Sequence, residues 1–493
     1  MKINFINKSF FAIMIFSVIS CEDKMDEYIP YDQEIFENFY KSPADFEQAK
    51  NAMYSAFRGN GYFSGGGSGD GLISTPDIMS DNLVLNTEGR QSGRVNAEFT
   101  FNSNNVPNGM YGTAYRIISR ANSIIDRINV LPDGDFKNNI LGQALAVRAI
   151  CHFDVARAYA KIPTQSANAN QSLGIAYVKT FNPQQLPTRL ATVEETYNEI
   201  INDLELASQI IAVENTVDAT QAGTNVFLDR VSVKALLSRV YLYNGNYALA
   251  AQRAQEAIDL GATLGTRAQF PGIWNDSNNS DILFKIAITV QDDVQIGVDY
   301  FQFLSGAFFS EYVCDFDFYN LYLNNDVRKS AYFTVAQSNG SEYIHITKYY
   351  RDLTNQRFLD GKYIRTSEVY LNLAEAKARL GNDDTGALAA LNALRAQRYT
   401  GFVSGNETGS ALLNQILLQR RLELAFEGDR FFTLKRLGLP LQRSGKGHLS
   451  DGTGNISVPQ TLSADDHRWQ WPIDQTTLNI NPNIQQNPNY SAN

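Results

Sequence analysis

The chain has 493 residues, 44% of them hydrophobic, 19% charged and 12% aromatic, which is the composition of a folded protein with a sizeable core. Its net charge of -10 argues against sequence-independent nucleic-acid binding, which needs clustered Lys and Arg against phosphate. Its three cysteines, Cys21, Cys151 and Cys314, provide no even-numbered disulfide framework, and its four histidines (His152, His345, His448, His467) are scattered without a zinc-binding spacing, so no metal or cofactor is expected.

Residues 1–20 read as a targeting segment. Lys2 and Lys8 form a basic start, and the apolar run over residues 10–19 is too short for a typical membrane span. Val18-Ile19-Ser20-Cys21 resembles a bacterial lipobox, in which the leader is removed before Cys21 and the cysteine is acylated. Residues 21–41 then read as an acidic tether, and residues 42–493 as a single domain. Ser42-Pro43 opens a helix over residues 42–58, with Ser at the N-cap and Pro at the first helical position. The seven glycines of residues 59–71 exclude regular structure and read as a flexible surface loop, and loop character continues to residue 106. Helices follow over residues 108–129, with Tyr115, Ile118, Asn122 and Ile125 on one face, and over residues 139–160. A third spans residues 192–211, opened by the capping box of Thr192 and Glu195. Cys151 and His152 read as buried members of the second of these helices.

Residues 232–260 form two apolar stripes around Asn244-Gly245-Asn246 and resemble a tetratricopeptide repeat. Residues 368–398 resemble another, around Gly381-Asn382. Between them the helical period fails. Residues 281–290 and 342–350 read as short strands, and residues 300–322 are dense in aromatics. Residues 411–438 read as one long buried helix carrying Arg420, Arg421, Glu423, Glu427 and Arg430. These charges suit either acid/base chemistry or an ion-pair network, and the second reading is preferred because buried charges need partners. Glu423, Glu427 and Arg430, with Arg365 and Glu375, would then lock this helix across the hairpin of residues 368–398.

Several motifs, in order along almost the whole chain, resemble those of the SusD/RagB family of outer-membrane lipoproteins. They are the lipobox; Arg148-Ala149 leading to Ile162-Pro163; Asp326-Val327-Arg328; Arg365 with Glu368-Val369-Tyr370-Leu371 and Ala374-Glu375-Ala376; Arg420, Glu423, Glu427-Gly428 and Arg430; and Trp471-Pro472-Ile473 with Asn481-Pro482 and Gln486-Asn487-Pro488. The sequence departs from the family pattern at Ala160-Lys161, Gln419, Thr433 and Asn489. The resemblance implies a mainly α fold: four tetratricopeptide-like helix pairs as a scaffold, with irregular loops and a few short strands. It also implies capture of a glycan (in some members a peptide) for a partner SusC-like TonB-dependent transporter, and no catalysis. Ligand contacts are expected from the loops of residues 59–106 and 265–350. The candidates are Trp274, Tyr300, Phe301 and Tyr312 as stacking faces, with Asp81, Asn82, Arg90 and Arg94 as hydrogen-bonding partners. The rival readings are a glycoside hydrolase using Asp315 and Asp317, and an adaptor that binds peptide tails.

Overall fold

The computed structural model describes residues 39–59, 61–64, 71–214, 225–292, 294–304, 306–350 and 358–490; the leader, Cys21 and most of the tether lie outside the described residues. The long helices are α1 (Pro43–Ser55), α2 (Met110–Arg127), α3 (Asp135–Tyr159), α4 (Val193–Ile210), α5 (Arg230–Asn244), α6 (Tyr247–Asp259), α7 (Thr366–Leu380), α8 (Asp384–Ala396) and α9 (Gly409–Glu423), followed by the short α10 (Arg430–Arg436). Their starts follow local chemistry. Asp45 accepts hydrogen bonds from the backbone N–H of Ser42 at 2.7 Å and of Lys41 at 2.9 Å, ahead of α1. Thr192 and Glu195 cap α4 reciprocally, at 3.0 and 3.1 Å. Gly245 and Gly381, with φ of +83° and +72°, supply the left-handed turns that close α5 and α7. Helices α2 to α8 pack each against the next, α6 against α7 joining the two hairpins, and α9 returns onto α7. This is the mainly helical, repeat-like scaffold expected, and no helix among the described residues is long and apolar enough to cross a membrane.

Short antiparallel ribbons carry the remainder. Strand β2 (Ile282–Ile286) pairs with β8 (Gly361–Arg365). Strands β3 (Gln302–Leu304) and β4 (Ala307–Phe309) form one hairpin, and β6 (Phe333–Ser338) and β7 (Ser341–Ile346) form another. Asn339-Gly340, at φ +49° and +86°, makes the turn of the second, as the right-handed twist of the flanking strands requires. The strands expected over 281–290 and 342–350 thus form with narrower bounds, as Ile282–Ile286 and Ser341–Ile346. Strand β1 (Leu83–Leu85) pairs with β5 (Tyr312–Cys314), which ties the two loop regions of the sequence to each other.

Two expectations are corrected. The glycine-rich stretch is not a free surface loop at its described ends: Tyr62 and Phe63 are buried, and Leu72 and Ile73 donate backbone hydrogen bonds to their carbonyls. Residues 411–438 are not one helix. The chain leaves α9 at Leu424, with φ of +66° at Phe426 and +76° at Gly428, before α10 begins. The break is stabilised because the carbonyls it orphans find side-chain donors. Tyr322 donates to Leu422 O at 2.9 Å, Tyr332 to Glu423 O at 3.0 Å, Lys348 to Ala425 O at 2.6 Å and Tyr349 to Phe426 O at 2.8 Å. Three of the tyrosines between residues 300 and 350 are therefore spent on ending one helix.

Candidate functional site

The charges of residues 411–438 are held in buried ion pairs. Glu423 is fully buried and lies 2.9 Å from Arg398, 3.0 Å from Arg365 and 3.3 Å from Arg328. Glu427 bridges Arg365 and Lys348, each at 2.7 Å, and Asp281 bridges Arg365 and Arg398. Glu375 holds Arg436 at 2.7 Å and Arg379 at 2.9 Å. Asp326 caps the short helix Val327–Tyr332 and grips the Arg328 guanidinium through both oxygens. Glu368 pairs with Arg239, and Arg148 with Asp203. Each carboxylate is saturated by cations or hydrogen-bond donors, so none is poised as an acid or base. The ion-pair reading of Glu423, Glu427, Arg365 and Glu375 holds. Arg430 differs: it faces Asp81 with two 2.7 Å contacts.

Six of the eight proposed ligand contacts belong to this frame and are corrected accordingly. Asp81 is buried, and although burial opposes it, Arg430 and Arg421 draw its carboxyl down to about 2. Asn82 is fully buried and accepts from Arg421 at 2.8 Å. Trp274 lies in the core as a wall for two buried cations, with Lys348 3.8 Å and Arg365 4.9 Å from its ring centroid. Tyr300 and Phe301 are fully buried, and Tyr312 is spent on a 2.7 Å hydrogen bond to Ser92 O. None of these six presents a face to solvent. His152 is, as expected, a satisfied core histidine, stacked 3.9 Å over Tyr177 and bonded at both ring nitrogens. Cys151 and Cys314 are buried free thiols. Asp315 caps the helix Phe316–Tyr319 by accepting from Phe318 N at 2.9 Å, while Asp317 is exposed. Among the described residues no group of three or more His, Cys, Asp and Glu side chains is placed to hold a metal.

The two loop regions do form a cleft. Beyond β1, Asn86 is pinned to β5's approach, its N–H donating to Glu311 O at 2.8 Å and its amide to Ser310 O at 2.9 Å. This holds residues 86–90 beside the β3–β4 and β6–β7 hairpins, enclosing about 230 Å³. Arg90, one of the eight candidates, lines it. Its guanidinium is aimed by Glu311, at 2.6 and 3.0 Å, and stays half-exposed. Arg94 instead bonds Glu98 at 2.6 Å and lies outside the lining. The register of β3–β4 sets Gln302 opposite Phe309, so both emerge on the face toward the cleft. Tyr343 and His345, two residues apart on β7, form another wall; Tyr343 donates to Glu88, and His345 Nδ1 lies 2.7 Å from Ser310 Oγ. Burial lowers the His345 pKa to about 4, so its ring is neutral at physiological pH. A half-buried aromatic face with fixed amide, guanidinium and hydroxyl groups around it suits a hydroxyl-rich ligand. Phe309, Gln302 and Tyr343 were not singled out from the sequence; the one signal available was the Asn-Gly turn that folds β6–β7 over them.

Comparison with known proteins bears on the whole chain. A model of the SusD family matches residues 300–490, and another, described as starch-binding and associating with the outer membrane, matches residues 68–242. A SusD-like protein P2 of Formosa agariphila is 25% identical, the alignment covering 87% of this chain and 90% of the relative. A SusD superfamily protein from Bacteroides thetaiotaomicron of known crystal structure is 26% identical, with a TM-score of 0.76 over 91% of this chain and 100% of that one. A SusD-like carbohydrate binding protein from Bacteroides vulgatus shares the fold, at 22% identity and a TM-score of 0.72 over 90% of this chain and 98% of that one.

Proposed function

The chain belongs to the SusD family, and from that membership we propose that it is a cell-surface lipoprotein that captures an oligo- or polysaccharide and passes it to a SusC-like TonB-dependent transporter. The observation that carries the glycan reading is the loop cleft, where the half-buried ring of Phe309 stands beside Arg90 and Gln302, over a floor that includes the buried Tyr343 and Asn86. The reading as binding without turnover is supported by the pairing of Glu423, Glu427 and Glu375 with arginines and Lys348. The lipobox-like segment before Cys21 supports anchoring to the membrane through acyl chains.

The test is direct. Incubated with a panel of polysaccharides and oligosaccharides, the mature protein retards in a matrix of one class or releases heat on titration with it. Phe309→Ala weakens that binding about tenfold, roughly 1.4 kcal/mol, without moving the unfolding midpoint. Release of reducing ends by the pure protein would overturn the claim of binding alone, and affinity for peptides in place of glycans would move the assignment to the peptide-binding branch. Cys21→Ala abolishes metabolic labelling by palmitate; undiminished labelling would remove the anchor.

A further inference from the structure

We propose that the protein has a second carbohydrate site, selective for neutral sugars, in the groove between α2, residues 176–187 and residues 477–484. The groove encloses about 320 Å³, the size of a small-ligand site, and shares no lining residue with the loop cleft. In a chain that is 19% charged, its lining holds no charged side chain. The loop cleft, by contrast, carries Glu88, Arg90 and Glu311. An anionic glycan entering the α2 groove would lose hydration and find no charged side chain in the lining to pair with, the nearby Arg189 guanidinium being buried and turned to the carbonyls of Gly174 and Gln485 and to Asn487, so uronates and sulfated sugars are disfavoured. A neutral pyranose finds what it needs. The half-buried Tyr115 supplies ring surface, backed by the buried Tyr111, and Ser119, Asn182 and Gln185 supply hydroxyl and amide groups. Within the described residues, the Ser119 hydroxyl and the amide nitrogens of Asn182 and Gln185 make no hydrogen bond to the protein, which leaves them to a ligand.

The walls are fixed before any ligand arrives, so little ordering cost attends binding. Tyr115 donates to Ala176 O at 2.8 Å, and Asn122 to Val178 O at 2.9 Å and Thr180 O at 3.3 Å. Asp126 accepts from Phe181 N at 2.7 Å. On the other side, Asn481 donates to Pro187 O at 2.8 Å and Asn483 to Leu186 O at 3.2 Å. Tyr115 and Asn122, from the face of α2 that also carries Ile118 and Ile125, are thus spent on holding residues 176–180 in place.

Gly112 keeps the groove clear. It sits in the first turn of α2, where helical backbone accepts any ordinary residue, and a Cβ built on it meets nothing within 4 Å. A larger side chain there would stand in the groove and favour the helix over glycine. This makes Gly112→Leu a blocking substitution that spares the fold.

The proposal rests on the glycan reading above, and the experiment separates the two. The mature protein, Gly112→Leu, Phe309→Ala and the double variant are titrated calorimetrically with maltohexaose, laminarihexaose, xylohexaose and, as the charged control, an alginate hexamer. The expected result is that one neutral hexasaccharide binds the unaltered protein at two sites. Gly112→Leu removes one site and leaves the other within twofold, Phe309→Ala weakens the other, and the double variant weakens both. Asn182→Ala with Gln185→Ala, on the exposed loop, gives the same selective loss by a route that does not touch α2. A hexasaccharide that binds with stoichiometry and affinity unchanged in both sets of variants overturns the second site and leaves the glycan reading intact. An alginate hexamer bound in a manner abolished by Gly112→Leu overturns its neutral selectivity. Failure of all panel sugars to bind the unaltered protein overturns the glycan reading, and this proposal with it.

Discussion

Glu423→Ala is expected to lower the unfolding free energy by about 3–5 kcal/mol, because removing one carboxylate leaves Arg328, Arg365 and Arg398 buried against one another. All three guanidiniums are 0 or 1% exposed. Their remaining partners are Asp326, Asp281 and Glu427, and Glu427 is shared with Lys348, so four buried cations would face three carboxylates. A denaturant titration read by fluorescence checks this, and an unchanged midpoint would sink the ion-pair account of the frame. The same charges set a pH dependence. Burial raises the Glu423 pKa, but Arg398, Arg365 and Arg328 outweigh it and hold the carboxyl well below the usual range. Glu375 and Glu368 are lowered in the same way by their arginines, and Asp81 is held at about 2. Carboxylates with depressed native pKa values stabilise the fold fully above the unfolded value of about 4.3, and lose that contribution as pH falls through the native one. Asp281 runs the other way, since burial outweighs Arg365 and Arg398 and raises it. The melting temperature should therefore fall as pH is taken from about 5 to 3, and fall less steeply in Glu423→Ala. A flat profile in the unaltered protein would contradict the dominance of the depressed group.

Gly428→Ala is the second large effect, expected to cost about 2–5 kcal/mol from left-handed strain plus backbone displacement. At φ +76° the residue is in the glycine region, and a Cβ there would lie 1.9 Å from the carbonyl oxygen of Leu72. That neighbour is backbone, so relief requires moving either the break between α9 and α10 or the segment that leads into residues 72–85. The displacement would also disturb the Gly428 N–H bond to Asp77 at 2.6 Å and the grip of Glu427 on Arg365. Thermal unfolding of the variant measures the loss. A midpoint within a degree or two of the unaltered protein would show that the break can relax, and would weaken its role as the joint between helical frame and loops.

The motifs carrying the family resemblance were legible for a physical reason. Arg148, Asp326, Arg328, Arg365, Glu368, Glu375 and Glu423 are charges without enough surface to sit on, and each has one arrangement in which it is fully paired. Buried pairs tie identity to position, so they can be read from order and spacing alone. The residues that line the cleft are under no such constraint. Gln302 and the half-buried Phe309 look like any other polar and aromatic residues in a loop. Trp274, Tyr300, Phe301 and Tyr312 looked like stacking faces, yet they wall buried cations or fill the core. A ring that covers a guanidinium and a ring that covers a sugar have the same composition, and only their exposure distinguishes them.

By itself the sequence determined the helical repeats, their capping residues and glycine turns, and the charged motifs that place the chain in its family. These depend on neighbours one turn away or on pairings that charge alone demands. The tertiary structure decided three things that no local pattern encodes. It broke residues 411–438 into two helices, because Tyr322, Tyr332, Lys348 and Tyr349, up to about a hundred residues away in sequence, accept the cost of the orphaned carbonyls. It brought residues 86–90 beside the β3–β4 and β6–β7 hairpins through the pairing of β1 with β5. And it left open a groove beside Gly112, where the sequence shows only a glycine in a helix.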